Sequence, residues 1–466
     1  MMNNHEYPVI TERLDTMKDH DKQRSRLRWG GYLLAAATLV GCDTSVTNPG
    51  PVQDEFLDSL IAHTAVVQGS SGDLSNALDQ IAYWGAAITY EINPAGSTGS
   101  FGIPSSVQDG RFDIDFSGDW NRISSALWTA ENALKRFEAV LPEITGAPSF
   151  GSYEPAAEAA LLAGYAARTM GENFCEVAFD AGPLQGFEAA LTRSEGHFTQ
   201  AIDIGTAAGN SDIVTAARAG RASVRAYLAT YGMASWSDAA ADAAAVTDND
   251  FVHVAVYSEQ DQGQSNYIMI AAPGLGTYRA HTVWATFYEN YFTTTGDPRT
   301  PWTFDPDIPF GDAGVSKFGG NVAFFPQAKY AVQEAPINLS SGWEMRLIEA
   351  EAILNGAGSG DFNDAVTLMN LRRSTDLSLT PIVAASTAEA YTALKLERAL
   401  ELWLEGRRLG DVRRWDANNV PGGISDLTDG VYDGPGGTFN ATLTTLATND
   451  RCWPIGQSER ETNPNF

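Results

Sequence analysis

Basic residues are scarce in this chain: 30 lysines and arginines stand against 58 aspartates and glutamates in 466 residues, a formal charge of −28. Such a chain has nothing with which to neutralise a row of phosphates, which excludes nucleic acid as a partner. Cysteine is scarcer still, and three cannot build a disulfide scaffold. Of six histidines, only His63, His197, His253 and His281 lie beyond the N-terminal segment. They are scattered singly, with no His-Glu-x-x-His pair and no zinc spacing, so no metal and no cofactor is expected. No apolar run reaches the roughly 20 residues that span a bilayer, and no low-complexity tract accounts for the 44 glycines and 21 prolines. What remains is a chain 44% hydrophobic and 10% aromatic with only 19% charged residues. That composition buries a core and is not a disordered acidic tail.

The first forty residues read as an address. Lys22, Arg24, Arg26 and Arg28 precede a short apolar run, Tyr32-Leu33-Leu34-Ala35-Ala36-Ala37-Thr38-Leu39-Val40. A basic region followed by such a run is the layout of a secretory signal, with Met17 as its natural start. The run closes on Leu39-Val40-Gly41-Cys42, which resembles a bacterial lipobox; the expectation is a signal peptide over 1–41 and a lipidated Cys42. Several acyl chains at about 0.8 kcal/mol per buried CH₂ hold a protein on a membrane stably. Asp43, directly after that cysteine, disfavours outer-membrane sorting under enterobacterial rules. Residues 42–50 read as a tether, and 51–466 as a single domain.

Helical periodicity dominates the rest. The pattern predicts helices over Val52–Val67, ending at Gly69-Ser70-Ser71-Gly72, and over Trp120–Val140 with Asp119 as N-cap. Further helices are expected over Pro155–Met170, Phe187–Gly205, Ser211–Tyr231 and Asp238–Val246. Beyond them come Trp343–Leu354, Asp361–Arg373 and a long Ser386–Trp415, opened by the possible capping box Ser386-x-x-Glu389. Short polar turns between them make antiparallel hairpins, and 187–246 looks like loosely repeated pairs of tetratricopeptide type. The fold class is therefore mostly α, a helical-hairpin scaffold with tetratricopeptide-like pairs over 187–246. Residues 251–340 break the pattern, holding 16 of 48 aromatics and 7 of 21 prolines. Tyr278, Trp284, Tyr288, Tyr291, Phe292, Trp302, Phe304 and Phe310 alternate there with Pro298, Pro301, Pro306 and Pro309. Those prolines forbid a long helix, so a loop-rich, aromatic-rich layer is expected over a helical base.

The C-terminal motifs carry a resemblance. Glu397-Arg398-x-x-Glu401-Leu402-x-x-Glu405-Gly406-x-Arg408-x-x-Asp411-x-x-Arg414-Trp415 resembles a pattern of the SusD/RagB family of bacterial outer-membrane nutrient-binding lipoproteins. Trp343–Ala352, Asp364–Arg372, Gly296-Asp297-Pro298-Arg299 and Trp453–Asn465 are similar, in order, to further family segments, with Gly456 where the family has proline. The resemblance covers 290–466 well and 50–250 in helix rhythm. It implies a SusD-like scaffold with a loop-rich ligand face. It further implies a cell-surface location on the outer membrane, an oligosaccharide or peptide ligand, and a SusC-like TonB-dependent transporter as partner.

The chemistry read from the residues is that of binding. Glu397 and Glu401 lie one turn apart, and a lipid-anchored glycoside hydrolase using them is the alternative, since retaining glycosidases need two carboxyls about 5–5.5 Å apart. Here they alternate with arginines, and structural ion pairing is expected instead. Gly274-Leu275-Gly276 is a turn rather than a dinucleotide loop. Asp426–Gly430 and Asp433-Gly434 make a tight acidic loop without calcium-site spacing. Cys175 and Cys452 are read as two independent buried thiols, with pairing left open. Aromatic faces that stack on sugar rings are expected in turn-rich segments. The candidates are Trp84, Tyr90, Tyr278, Tyr291 and Trp302.

Overall fold

The computed structural model describes residues 54–96, 115–271, 279–311, 322–423 and 452–466. The signal segment, Cys42, the tether, Tyr278, the 274–276 turn and the 426–434 acidic loop lie outside the described residues. Thirteen helices are found among those described. Helices α1 (Leu60–Ile88), α2 (Ser117–Val140), α3 (Glu154–Asn173), α4 (Phe187–Ala208), α5 (Ser211–Thr230) and α6 (Trp236–Ala244) come first. Each packs against its predecessor. The chain then leaves the helical stack through β4 (Val252–Ala255), α7 (Tyr267–Ala271), β5 (His281–Thr282) and α8 (Phe287–Thr295). It returns along β6 (Ile337–Ser341) to α9 (Gly342–Leu354), which packs on α6. Helices α10 (Phe362–Asn370), α11 (Thr387–Glu401), α12 (Arg408–Ala417) and α13 (Gln457–Thr462) close the chain. This is a helical-hairpin solenoid, in which each repeat leans on its neighbour, with the aromatic layer inserted between α6 and α9. The small sheets are two-stranded and antiparallel: β1 (Asn93–Pro94) with β5, β2 (Glu176–Val177) with β3 (Gln185–Gly186), and β4 with β6. No described helix is long and apolar enough to cross a membrane.

The core sits on α3, most of whose residues are buried. Its alanines let the neighbouring helices approach closely. The Phe198 ring of α4 fills the notch between Gly164 of α3 and Gly220 of α5, where an added Cβ would lie 2.7 and 2.3 Å from ring carbons.

Four expectations need correction. Helix α1 does not stop at Gly69–Gly72 but runs through to Ile88. Each helical glycine costs about 1 kcal/mol, and the complete burial of Leu74, Leu78, Ile81, Tyr83 and Ile88 outweighs that. Asp119 is not the cap of α2; it lies inside the first turn, and Asp115 Oδ1 accepts from the Ser117 amide at 2.9 Å instead. The long 386–415 helix is broken between Glu401 and Arg408. Leu404 and Gly406 adopt left-handed φ of 60° and 71°, which glycine tolerates and leucine resists. Long-range bonds pin the break: the Leu404 amide donates to Glu91 Oε1 (3.0 Å), the Tyr330 hydroxyl to Leu404 O (3.1 Å), and Lys329 Nζ to Trp403 O (2.7 Å). Finally, Cys175 and Cys452 are not independent thiols but a disulfide, joining the end of α3 to the closing segment. The Ser386 cap is present, accepting from the Glu389 amide at 3.3 Å, but the Glu389 carboxylate turns to the Ala385 amide rather than closing a box on Ser386.

Candidate ligand-binding face

The C-terminal motifs meet in a series of largely buried ion-pair clusters. Arg299 binds Asp297 (2.7 Å), Glu397 (2.8 Å) and Glu401 (3.3 Å). Arg373 reaches Glu397 at 2.6 Å and Arg372 reaches Glu401 at 3.1 Å. Farther along, Arg414 is forked onto Glu351 (2.6 and 2.8 Å) and bonded to Asp411 (3.0 Å). Arg407 joins Glu172 to Glu344, at 2.9 Å each. Burial disfavours charge on Glu344 and Asp411, but the surrounding arginines hold both carboxyls below the usual range. Paired buried charges of this kind define register between elements. Glu397 is thus held by guanidinium groups on both carboxylate oxygens, and Glu401 takes two guanidinium groups on its Oε2.

The loop layer has the opposite character. At the end of α1 the chain turns through Tyr90, at φ 55°, into β1. There Asn93 Nδ2 donates to Trp284 O at 2.8 Å, and β1 pairs with β5. Thr282 Oγ1 donates to Ala323 O and accepts from the Phe325 amide, both at 2.9 Å, tying β5 to the next segment. That segment is an irregular antiparallel ribbon. Trp302 bridges Gln327 and Phe310 bridges Ala323, with amide bonds from Thr303 to Pro326 (3.0 Å) and Phe324 to Pro309 (3.0 Å). Gly311 lies so close to β1 that a Cβ would come within 2.2 Å of Ala95 O, which excludes any side chain there. Prolines at 301, 306, 309 and 326 keep the ribbon out of helix and set where its rings point.

On the ribbon, Phe325 stacks on Trp302 with centroids 4.7 Å apart, and Phe304 meets Phe325 edge-on at 5.6 Å. Phe304 and Phe310 are 53% and 46% exposed, while Trp302, Trp284 and Phe325 are half-buried. An exposed aromatic cluster on a rigid base is costly to leave in water and marks a contact surface. Beneath it His281 is buried, and neither ring nitrogen has a partner among the described residues. Burial pushes its pKa down to about 3, so it stays neutral and serves as core. No group of three or more His, Cys, Asp or Glu suited to a metal is found among the described residues.

The sequence-derived candidates fall unevenly on this face. Trp302 is part of the ribbon, its Nε1–H donating to Glu289 O at 3.3 Å. Trp84 is half-buried one turn before the end of α1, edge-on to Phe116; no ring contact joins it to Trp302 among the described residues. Tyr90 and Tyr291 lie buried rather than on the exposed face. The Tyr291 hydroxyl is held between Asp297 (3.2 Å) and Arg373 (3.0 Å). Phe304 and Phe310, the most exposed rings of the ribbon, were not among the candidates. Their place between closely spaced prolines was the available signal, since it put them in the turn-rich segment rather than on a helix stripe.

Residues 344–466 match the profile of the SusD family. No match is found among functionally curated sequences. Solved structures share the fold at low identity. A SusD superfamily protein from Parabacteroides distasonis superposes with a TM-score of 0.61 at 14% identity, covering 87% of this chain and 98% of its own. A SusD/RagB family protein from Bacteroides thetaiotaomicron gives 0.59 at 14%, covering 86% and 94%. Surface glycan-binding protein A of the same species, solved with laminarihexaose, gives 0.56 at 11%, covering 86% and 97%. The expected tetratricopeptide-like scaffold is thereby borne out, and the closing ion-pair web lies largely within the matched segment. Residues 344–466 thus match the SusD family, and the described residues share the fold of SusD-like structures.

Proposed function

We propose that this protein captures oligosaccharides on the aromatic ribbon and passes them to a TonB-dependent transporter of the outer membrane, to which a lipidated Cys42 holds it. The observation that carries the reading is the ribbon itself: Phe304 and Phe310 face solvent, and Phe304 rests edge-on against the Phe325–Trp302 stack. Flat apolar rings beside the exposed Asp305 and Asp307 suit the two faces of a sugar, apolar C–H on one side and hydroxyls at the rim. A fold neighbour solved with a glucan hexaose supports the choice of glycan over peptide. Against hydrolysis stand the arginines that occupy Glu397 and Glu401.

Titration calorimetry against a panel of neutral hexaoses, laminarihexaose included, tests the ribbon. With stacking near 1 kcal/mol per ring, the Phe304→Ser/Phe310→Ser pair is expected to weaken binding at least tenfold without moving Tm, both rings being exposed. Full binding by that variant would remove the ribbon from the site. Labelled palmitate entering the wild type but not Cys42→Ala tests the anchor. Co-purification of a barrel from solubilised membranes tests the partner.

A further inference from the structure

A second concave surface lies away from the ribbon, between α2 and α4 with α3 as its floor. Three adjoining cavities of about 260, 450 and 690 Å³ meet at Arg193, which lines all of them. The smallest is walled by Trp128, Phe179, Asp180 and Glu459. Trp128 is 58% exposed, alone among the described tryptophans in standing out to solvent; Trp120, two turns earlier, is buried and donates its Nε1–H to Glu459 at 3.1 Å.

We propose that this groove is a second saccharide subsite for uncharged pyranose chains, with Trp128 as the stacking platform and Arg193 and Asp180 bonding ring hydroxyls. The proposal deepens the binding role above and rests on it for the class of ligand. Arg193 is built for the task. Its Nε and Nη2 are forked onto Glu131 at 2.5 Å each, and the guanidinium lies over the Phe179 ring at 4.5 Å. Nη1 has no partner among the described residues. Burial would raise the Glu131 pKa, but hydrogen bonds from His197 and Arg193 outweigh it and hold the group at about 2. The fork therefore stays charged and fixed, leaving Nη1 as an oriented donor.

Asp180 supplies the complementary acceptor. Its side chain is 55% exposed, with Oδ2 3.5 Å from Arg193 Nη2. It is placed by a strained turn in which Asp180 and Ala181, neither a glycine, take φ of 51° and 54°. Asn465 Nδ2 holds that turn through Ala181 O (2.6 Å) and Asn463 Nδ2 through Gly182 O (2.9 Å). Consecutive non-glycine residues in this region are costly and concentrate where a surface must be shaped.

Charge selects the ligand. Glu131 is consumed by Arg193 and His197, and Glu459 by Trp120 and Asn463. In the smallest cavity the groups left free are the Arg193 guanidinium edge and the Asp180 carboxylate beside the Trp128 indole, while Lys135, Glu138 and Glu188 line the two flanking cavities. A hydroxyl both donates and accepts, so a vicinal diol satisfies the two together. A uronate would meet Asp180, and an ammonium would meet Arg193. The 260 Å³ cavity falls just under the roughly 300–1,000 Å³ of drug-sized sites, which suits a single ring. The flanking cavities extend the path for a chain.

The test labels the full chain with 5-fluorotryptophan and identifies the Trp128 resonance by its loss in Trp128→Phe. The probes are laminarihexaose, maltohexaose, tetragalacturonate and pentalysine. A saturable shift of that resonance with a neutral hexaose is expected. It should be retained in Phe304→Ser/Phe310→Ser and weakened about tenfold in Asp180→Ala. Trp302 or Trp284 responding while Trp128 stays silent would overturn the subsite and leave the ribbon standing. A Trp128 shift that vanishes in the ribbon variant would overturn it as well. A response confined to tetragalacturonate or pentalysine would overturn the ligand class. Silence of every resonance with every hexaose would overturn both this proposal and the ribbon.

Discussion

Asp79 is a carboxyl the fold keeps uncharged, and replacing it should stabilise the protein in a way that depends on pH. It sits on α1, buried, with Oδ2 accepting the Tyr267 amide at 2.8 Å and Oδ1 without a partner among the described residues. Burial raises its pKa from 3.8 to about 8, against the pull of the Tyr267 amide and Arg122. Below pH about 4 the folded and unfolded chains both hold the proton, and the group contributes fully. As pH rises toward 8 the unfolded chain ionises while the folded one does not, so stability falls by about 1.4 kcal/mol per unit. Between 3.8 and neutrality that is on the order of 4 kcal/mol, and above pH about 8 the loss levels off. An asparagine at this position cannot ionise and keeps an acceptor for the Tyr267 amide, at the cost of an amide N–H placed where Oδ1 has no partner, about 1 kcal/mol. Urea unfolding of Asp79→Asn should therefore match the wild type within about 1 kcal/mol near pH 4.5 and exceed it by roughly 4 kcal/mol near pH 7.5. A difference between the two proteins that stays flat across that range would refute the assignment of a buried neutral carboxyl.

Three further outcomes follow from the scaffold. The 175–452 disulfide spans 277 residues, so Cys175→Ser/Cys452→Ser should cost roughly 3–5 kcal/mol; more than one free thiol per denatured, unreduced precursor chain would disprove the bond. Gly220→Ala drives a methyl against Phe198 and should cost about 1–3 kcal/mol by thermal melt, with partial rescue by Phe198→Leu; a neutral result would mean that the notch is looser than described. Arg299→Ala leaves Glu397 and Asp297 buried with one fewer cation and should cost about 3–5 kcal/mol, while Arg299→Lys recovers part of it; unchanged stability would remove Arg299 from the web.

Much of this was legible in the sequence, for identifiable reasons. Helices whose apolar residues recur at three- and four-residue spacing, such as Ser211–Thr230 and Gly342–Leu354, were located within a residue or two because period and propensity agree there. The ion-pair web was legible as motif and charge pattern, though not as geometry. Long-range contacts hid the rest. The Gly-Ser stretch in α1 is a local break that burial overrules. The 402–407 break is locally helical and is undone by Glu91, Lys329 and Tyr330, residues at least 70 positions away. Pairing of Cys175 with Cys452 is likewise decided by where α3 ends in space, as the Cys175 amide reaches Trp453 O at 2.8 Å.

The candidate site was the least legible part, and the reason lies in what an aromatic can do. A tyrosine in a loop and a tyrosine in a core have the same local sequence; only its hydroxyl partner tells them apart. Tyr291 finds Asp297 and Arg373 and is drawn into the web. Phe304 and Phe310 have no polar atom to anchor them, and the backbone bonds that fix their ribbon run through prolines that cannot donate. On the same ribbon Phe324 is buried, so which phenylalanines face solvent is set by how the ribbon lies on the scaffold, and local sequence does not carry that. The same logic separates Trp120 from Trp128 on one helix. The first has Glu459 to receive its N–H and is buried, whereas the second faces the groove, where its indole is free to meet a ligand.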